Sequence, residues 1–218
     1  MDHRITALKV QKYNPTRVNV HLDGEYAFGL SRIVAAWLEV GQELSDEKIA
    51  VLQTEDERES AYQRALRFLK YQVRCEAEVR RNLFKHGISG QIVDETIDRL
   101  KNNGLLDDQQ FAFQWIENRS DHRPRSRRAL AYELTRRGLD QETISIALES
   151  VADNQLAYQS ALKQGARYKD LEKHGFQRKM LAYLSQKGFD YETSRTAVQS
   201  VWEKLEEENS PPDKEVLS

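Results

Sequence analysis

A seven-residue phrase occurs three times along the chain. It reads LFKHGIS at residues 83–89, LTRRGLD at 134–140 and LSQKGFD at 184–190, so its glycine recurs after 51 and then 50 residues. In each copy a leucine stands four positions before the glycine and an apolar residue follows it, which is the pattern of a helix that ends on a left-handed glycine. A serine or aspartate comes next, and both are favoured helix N-caps. The phrase therefore predicts a helix end followed at once by a helix start, three times over.

These predicted helix ends and starts can be assigned to residues. We expect positive φ angles at Gly87, Gly138 and Gly188. We expect new helices to begin at Ser89, Asp140 and Asp190.

Repetition at about 50 residues, with room for three helices in each repeat, is typical of helical-repeat proteins. The predicted fold class is mainly α, a solenoid-like array of three tandem three-helix repeats with a small N-terminal β-hairpin region. The first repeat is predicted to open on a capping box formed by Thr54 and Glu57. The predicted domains are an N-terminal hairpin with short helices at 1–53, repeats at 54–106, 107–152 and 153–203, and an acidic, disordered tail at 204–218.

The N-terminal region has the alternation of strands. The stretch RVNVHLDGEYAFGL alternates apolar and polar residues around an Asp23-Gly24 turn, which predicts a β-hairpin, and ITALKV before it can add a third strand. The apolar residues expected to share one face are Val18, Val20, Leu22, Tyr26, Phe28 and Leu30. Three tryptophans are expected in the core or in packing between repeats, from their helical spacing to apolar neighbours, and the alternative is that they are stacking platforms for bases. They are Trp37, Trp115 and Trp202.

Composition excludes several classes of function. The 33 basic and 35 acidic side chains nearly cancel, so no global field points to a nucleic acid or a membrane surface. The single cysteine, Cys75, allows no internal disulfide, and no apolar run approaches the roughly 20 residues of a membrane span. No phosphate-binding glycine loop or zinc-protease motif occurs. We expect a cytoplasmic, monomeric protein that is not an enzyme, with no cofactor, no metal and no small-molecule substrate.

Positive charge is concentrated in one stretch of the second repeat. Residues 119–137 contain seven arginines and two carboxylates, which gives this stretch a net charge of +5 and leaves a net charge of −7 on the rest of the chain. The planar fork of arginine suits phosphate and carboxylate groups, so the stretch is a candidate binding surface, although a merely solvated helix face is the alternative. Tyr132, within the stretch, has the spacing of a core position. The candidate partner-binding residues are Arg119, Arg123, Arg125, Arg127, Arg128, Arg136 and Arg137, with Lys85 at the edge of the first repeat.

Two stretches carry a resemblance to a known family. RFLKYQVRCEAEVRRNLFKHGI at 67–88 and LKNNGLLDDQQFAFQWIENR at 100–119 resemble the RecX family of bacterial recombination regulators, and RRALAYELTRRGLDQETI fits the second repeat of that family. The resemblance covers residues 54–202. Cys75 departs from it, because the family more often has serine there.

The resemblance implies a function that composition does not. It implies a non-enzymatic regulator of DNA repair and the SOS response that binds the RecA filament on single-stranded DNA. Such a protein modulates, and mostly inhibits, filament assembly, ATP hydrolysis, strand exchange and coprotease activity. The arginines would then contact an acidic surface of RecA or the DNA strand. The net charge of −7 on the rest of the chain opposes a long track of phosphates and so slightly favours RecA. The alternative is a nucleic-acid-binding helical-repeat protein that acts without a recombinase.

Overall fold

The computed structural model describes residues 2–209, which form two compact units that divide between Asp107 and Asp108. The strands of the first unit are β1 Asp2–Gln11, β2 Asn14–Leu22, β3 Glu25–Ser31 and β4 Glu43–Ser45. Its helices are α1 Arg32–Ala35, α2 Asp46–Leu69, α3 Glu76–Lys85 and α4 Gly90–Asn102. The helices of the second unit are α5 Asp108–His122, α6 Arg127–Arg137, α7 Gln141–Leu148, α8 Asp153–Gly165, α9 Lys173–Gln186 and α10 Tyr191–Asn209, with a short 3-10 helix Ala166–Tyr168 after α8.

The helices pack in threes, as the repeated phrase predicts. Helices α2, α3 and α4 pack together in the first unit, and in the second unit α7 packs on α5 and α6, while α8, α9 and α10 form the last group. The predicted fold class, three successive three-helix groups after a small β region, is confirmed. The repeat limits at residues 54, 107 and 153 stay a prediction. Helix α10 continues to Asn209, and the rest of the expected tail lies outside the described residues.

The three glycines end their helices as predicted. Gly87, Gly138 and Gly188 have φ angles of 75°, 105° and 92°. After each of them the apolar residue donates its N–H to the carbonyl of the leucine five positions earlier, at 3.4, 3.3 and 3.2 Å, which defines the Schellman motif. Gly104, with a φ of 66°, ends α4 in the same way, and this fourth case was not predicted.

The helix starts also follow the prediction, with one difference between repeats. Asp140 and Asp190 each accept the N–H of the threonine three positions later at 2.8 Å, and each also accepts that threonine's hydroxyl. These hydrogen bonds, the backbone N–H first, hold the pKa of both aspartates below the ordinary value. Ser89 precedes α4 as expected, but its side chain makes no capping bond.

Two of the glycines allow a matched test of close packing. A Cβ on Gly188 would lie 2.6 Å from Ser126 Oγ at the start of α6, whereas a Cβ on Gly87 would meet nothing within 4 Å. Because both φ angles are positive, either change to alanine should cost about 1 kcal/mol in the free energy of unfolding. Gly188→Ala should cost a further 1 kcal/mol or more, roughly, because Ser126 must move. Urea unfolding followed by circular dichroism measures both variants, and equal losses would contradict the close contact.

The predicted capping box at Thr54 is wrong. Thr54 lies inside α2, and its hydroxyl donates to the carbonyl of Ala50 at 3.0 Å, a bond that lets threonine sit in a helix interior. Helix α2 instead begins after Ser45, whose Oγ accepts the N–H of Lys48 at 3.3 Å.

The N-terminal hairpin is confirmed, within an antiparallel sheet of strand order β3-β2-β1-β4. Val18 pairs with Leu30 and Val20 with Phe28, but the register then shifts, so that His21 pairs with Tyr26. The bulge leaves Tyr26 exposed, and its predicted place on the shared face is wrong.

The predicted burial of Trp37 is also wrong, since its side chain is 87% exposed. Helix α1 ends after one turn at Ala35, so the helical spacing on which that prediction rested does not reach Trp37.

Candidate partner-binding surface

The seven arginines of the basic stretch fall into two groups. Arg119, Arg125 and Arg137 are half-buried within the second unit. The remaining four, Arg123, Arg127, Arg128 and Arg136, are exposed. The sequence predicts one surface of all seven, whereas the structure divides them into a half-buried and an exposed group.

Glu133, on α6, holds two of the three half-buried arginines, Arg119 and Arg125, in place. Its side chain is 16% exposed and accepts hydrogen bonds from Arg119 Nε at 2.9 Å and from Trp115 Nε1 at 3.0 Å. Arg125 Nη1 lies 3.1 Å from the other carboxylate oxygen. One carboxylate therefore pairs with two guanidinium groups and accepts an indole N–H, and so joins α5 to α6.

The ring of Trp115 adds a second set of contacts. The guanidinium carbon of Arg119 lies 4.5 Å from the ring centroid, and that of Arg137 lies 3.9 Å away. Both distances fall within the range of cation–π attraction. Trp115 is therefore half-buried by packing, close to its predicted core role, and Arg119 and Arg137 contribute to stability.

Trp202 also meets its expected packing role. Its ring lies 5.1 Å, centroid to centroid, from that of the buried Phe176.

The loop before α6 is fixed by the third repeat. The N–H of Ser126 donates to the carbonyl of Lys187 at 3.2 Å, and the N–H of Arg127 donates to Asp153 Oδ1 at 2.6 Å. The Lys163 ammonium donates to the carbonyl of Asp121, and Pro124 is buried. The exposed arginines at the start of α6 therefore project from a backbone held at several points.

One face of α6 forms a continuous stripe. Arg128, Tyr132 and Arg136 are spaced four residues apart, so they lie on the same side of the helix. Tyr132 is 64% exposed, and the Arg136 guanidinium lies 5.9 Å from the centroid of its ring. The core position predicted for Tyr132 is wrong, because α6 buries Leu130 and Leu134 on its opposite side.

We call Arg123, Arg127, Arg128, Tyr132 and Arg136 the α6 surface. Within residues 2–209 no carboxylate pairs with the side chains of Arg123, Arg127 or Arg128. These cations are free to bind an anionic partner, and the fixed backbone reduces the ordering that binding would require.

The stripe is not repeated in the other middle helices. Counted back from the glycine of the repeated phrase, the positions of Arg128, Tyr132 and Arg136 correspond in α9 to Arg178, Ala182 and Gln186. In α3 they correspond to Ala77, Arg81 and Lys85. Lys85 is exposed and occupies the place of Arg136, but it belongs to the first compact unit and is not part of the α6 surface.

Two properties of the described residues bear on the class of protein. Across residues 2–209 no group of three or more histidine, cysteine or carboxylate side chains could hold a metal ion. Over the same range no helix has the length and apolar character needed to cross a membrane. The fold and the α6 surface define the class, a helical-repeat protein with a basic outer face on its middle repeat.

Comparison with known proteins identifies the family. Residues 3–45 match the regulatory protein RecX N-terminal domain, 61–100 the first RecX three-helix domain and 107–148 the second. Regulatory protein RecX of Bacillus subtilis is 31% identical over 202 residues, covering 90% of this chain and 76% of the relative. Regulatory protein RecX of Bacillus licheniformis is 32% identical over 203 residues, covering 89% of this chain and 76% of the relative. The chain belongs to the RecX family of regulatory proteins, which confirms the resemblance.

Solved structures agree with this membership. A crystal structure of regulatory protein RecX superimposes with a TM-score of 0.68 at 27% identity, covering 94% of this chain and 99% of that one. The crystal structure of RecX from Lactobacillus salivarius superimposes with a TM-score of 0.60 at 25% identity, covering 67% of this chain and 97% of that one. The relatives carry the name of regulatory proteins, and that name states no catalytic activity.

Proposed function

We propose that this chain regulates homologous recombination and DNA repair by binding the RecA filament on single-stranded DNA. Binding would modulate, and mostly inhibit, filament assembly, ATP hydrolysis, strand exchange and coprotease activity. Membership of the RecX family supports the regulatory role. The α6 surface is the observation that carries the binding mode, because its arginines have no carboxylate partner in the described chain.

The exposure of Tyr132 changes which filament component the α6 surface favours. A core position for Tyr132 would favour acidic RecA residues as the partner, because no aromatic ring would then lie exposed beside the arginines. An exposed tyrosine between two arginines offers a ring on which an unstacked base can lie and cations for the flanking phosphates. Arg128 to Arg136 spans about 12 Å of helix, so the stripe engages only a short length of strand. We therefore propose that it contacts the DNA strand within the filament, with further affinity from RecA itself.

A second candidate function is binding to nucleic acid without a recombinase, for which the Arg-Tyr-Arg stripe would be sufficient. The two candidates differ in how strongly the chain binds bare single-stranded DNA. A surface of four arginines neutralises at most four phosphates, and each contributes about 0.7 to the slope of log affinity against log salt. Bare DNA binding should therefore be weak and salt-sensitive, and binding to the assembled filament much stronger.

The test uses a variant with Arg123, Arg127, Arg128 and Arg136 changed to alanine, the four-arginine variant. A charge-matched control changes four other exposed cations of the second unit, Lys169, Lys173, Arg178 and Lys179. Fluorescence anisotropy with labelled oligo(dT) over a salt series should show a flatter slope for the four-arginine variant and an unchanged slope for the control. Wild-type binding to bare DNA as tight as to RecA filaments would favour the second candidate.

A further inference from the structure

A groove of about 900 Å³ lies within the first compact unit. Its lining comes from the starts of β2 and α1, from one face of α2 and from the α3–α4 corner that contains the first copy of the repeated phrase. A volume of this size is at the upper end of the usual range for ligand sites.

The sheet side of the groove is held rigidly by an internal ion pair. Arg17 donates to Asp56 Oδ2 at 2.7 Å, to the carbonyl of Gly29 at 2.8 Å and to Ser60 Oγ at 3.2 Å. Asp56 is only 7% exposed, and it also accepts the N–H of Ser31. Arg17 is therefore satisfied within the unit, and it fixes the sheet against α2.

Glu59, a second charged group of the lining, is satisfied in the same way. It is buried on α2 and accepts from Arg99 Nη1 at 2.9 Å and from Gln63 Nε2 at 2.8 Å. Neither it nor Arg17 is left to bind a ligand.

Three other arginines of the lining have no such partner. Arg64 and Arg67 are one turn apart on α2, and Arg32 begins α1. In the part of the chain that the structure describes, none of the three forms an ion pair or a hydrogen bond through its side chain. Glu57 is the single carboxylate of the lining without a partner, so the groove keeps a net positive charge. Arg64 is half-buried, where an unpaired cation is costly and a bound carboxylate would relieve that cost.

The apolar part of the lining is aliphatic. Ile33 is 63% exposed at the start of α1, while Ile88 and Ile92 come from the α3–α4 corner. Apart from the imidazole of His86, the lining contains no aromatic ring. Base stacking on aromatic rings contributes much of the affinity for single-stranded nucleic acid, so this composition favours a peptide.

We propose that the groove binds an acidic peptide segment of a partner protein, with carboxylates on Arg32, Arg64 and Arg67 and an apolar side chain against Ile33 and Ile88. The guanidinium fork binds a carboxylate through two parallel hydrogen bonds, which gives direction as well as affinity. The isoleucines select segments that carry an aliphatic residue between their acidic ones. The proposal does not depend on the α6 surface, which belongs to the other unit.

The probe is a fluorescein-labelled ten-residue peptide with glutamates and leucines, titrated with the full chain at low salt. A peptide with glutamine for glutamate, a peptide with serine for leucine and labelled oligo(dT) are the comparison ligands. We expect the Glu-Leu peptide to bind and the glutamine peptide not to. Arg64→Ala with Arg67→Ala should weaken binding about tenfold or more, because two charge-assisted hydrogen-bonded pairs are lost.

Two further variants make the result specific. Lys169→Ala with Lys173→Ala removes the same charge from exposed residues of the second unit that belong to neither proposed binding surface, and should leave peptide binding unchanged. Ile33→Ser should lower the affinity for the Glu-Leu peptide several-fold, because the contact with leucine is lost. It should leave unchanged the lower affinity for the peptide that has serine in place of leucine. Circular dichroism confirms that each variant is folded. Three outcomes would each overturn the proposal. The wild type does not bind the peptide, or the Arg64 and Arg67 variant binds it as tightly as the wild type does. The third is that the chain binds oligo(dT) in preference to the peptide and that this binding depends on the same arginines.

Discussion

Replacing Glu133 with alanine should destabilise the second unit by about 2–4 kcal/mol, the largest stability effect that we expect from a single polar change. The variant removes the shared acceptor of Arg119, Arg125 and Trp115 while their side chains stay partly enclosed. Because Arg125 is 40% exposed and can regain some hydration, we expect a loss of stability nearer to about 2 kcal/mol than to about 4 kcal/mol. Glu133→Gln should cost less, because an amide oxygen still accepts the indole N–H.

Urea unfolding followed by tryptophan fluorescence measures this effect, since Trp115 lies at the centre of the contact. Glu117→Ala on α5 is the matched control, because Glu117 is exposed and should change stability by no more than about 0.5 kcal/mol. If Glu133→Ala unfolded at the wild-type urea concentration, Arg119 and Arg125 would be solvated side chains and not part of the folded core.

The helix ends were predictable because their signals are local. A Schellman motif needs a glycine, a leucine four positions earlier and an apolar residue after it, all within one short segment such as 134–139. The caps at Asp140 and Asp190 are equally local, as each aspartate bonds a threonine three positions later. Gly104 carries the same signal, with Leu100 and Leu105 around it, and could have been found by the same rule.

Side-chain burial was harder to predict, for two different reasons. Tyr132 lies two positions from both Leu130 and Leu134, which is about 200° around a helix of 3.6 residues per turn. The buried leucines therefore placed Tyr132 outward, and the signal was present in the sequence. Trp37 differs, because its exposure depends on α1 ending after one turn, and the local pattern of apolar residues does not show where a helix of that length stops.

The division of the arginines could not be predicted from their spacing. Glu133 was visible as one of two carboxylates among seven arginines, but which of them reach it depends on how α5 packs against α6. The groove of the first unit was likewise hidden, because its lining joins residues from Asn14 to Ile92. Contacts between segments that are distant in sequence form only in the folded chain, so local periodicity does not predict them.

Suppression of the single-stranded-DNA-dependent ATPase of RecA tests the central claim most directly. Wild type, the four-arginine variant and the charge-matched control are titrated into RecA with ATP and a long single-stranded DNA, after circular dichroism has shown equal helicity. The account predicts that the four-arginine variant needs about tenfold more protein or greater for half suppression, because several of its cations contact the filament, while the control matches the wild type within about twofold. If the folded four-arginine variant suppressed the ATPase as well as the wild type does, the α6 surface would be only a solvated helix face.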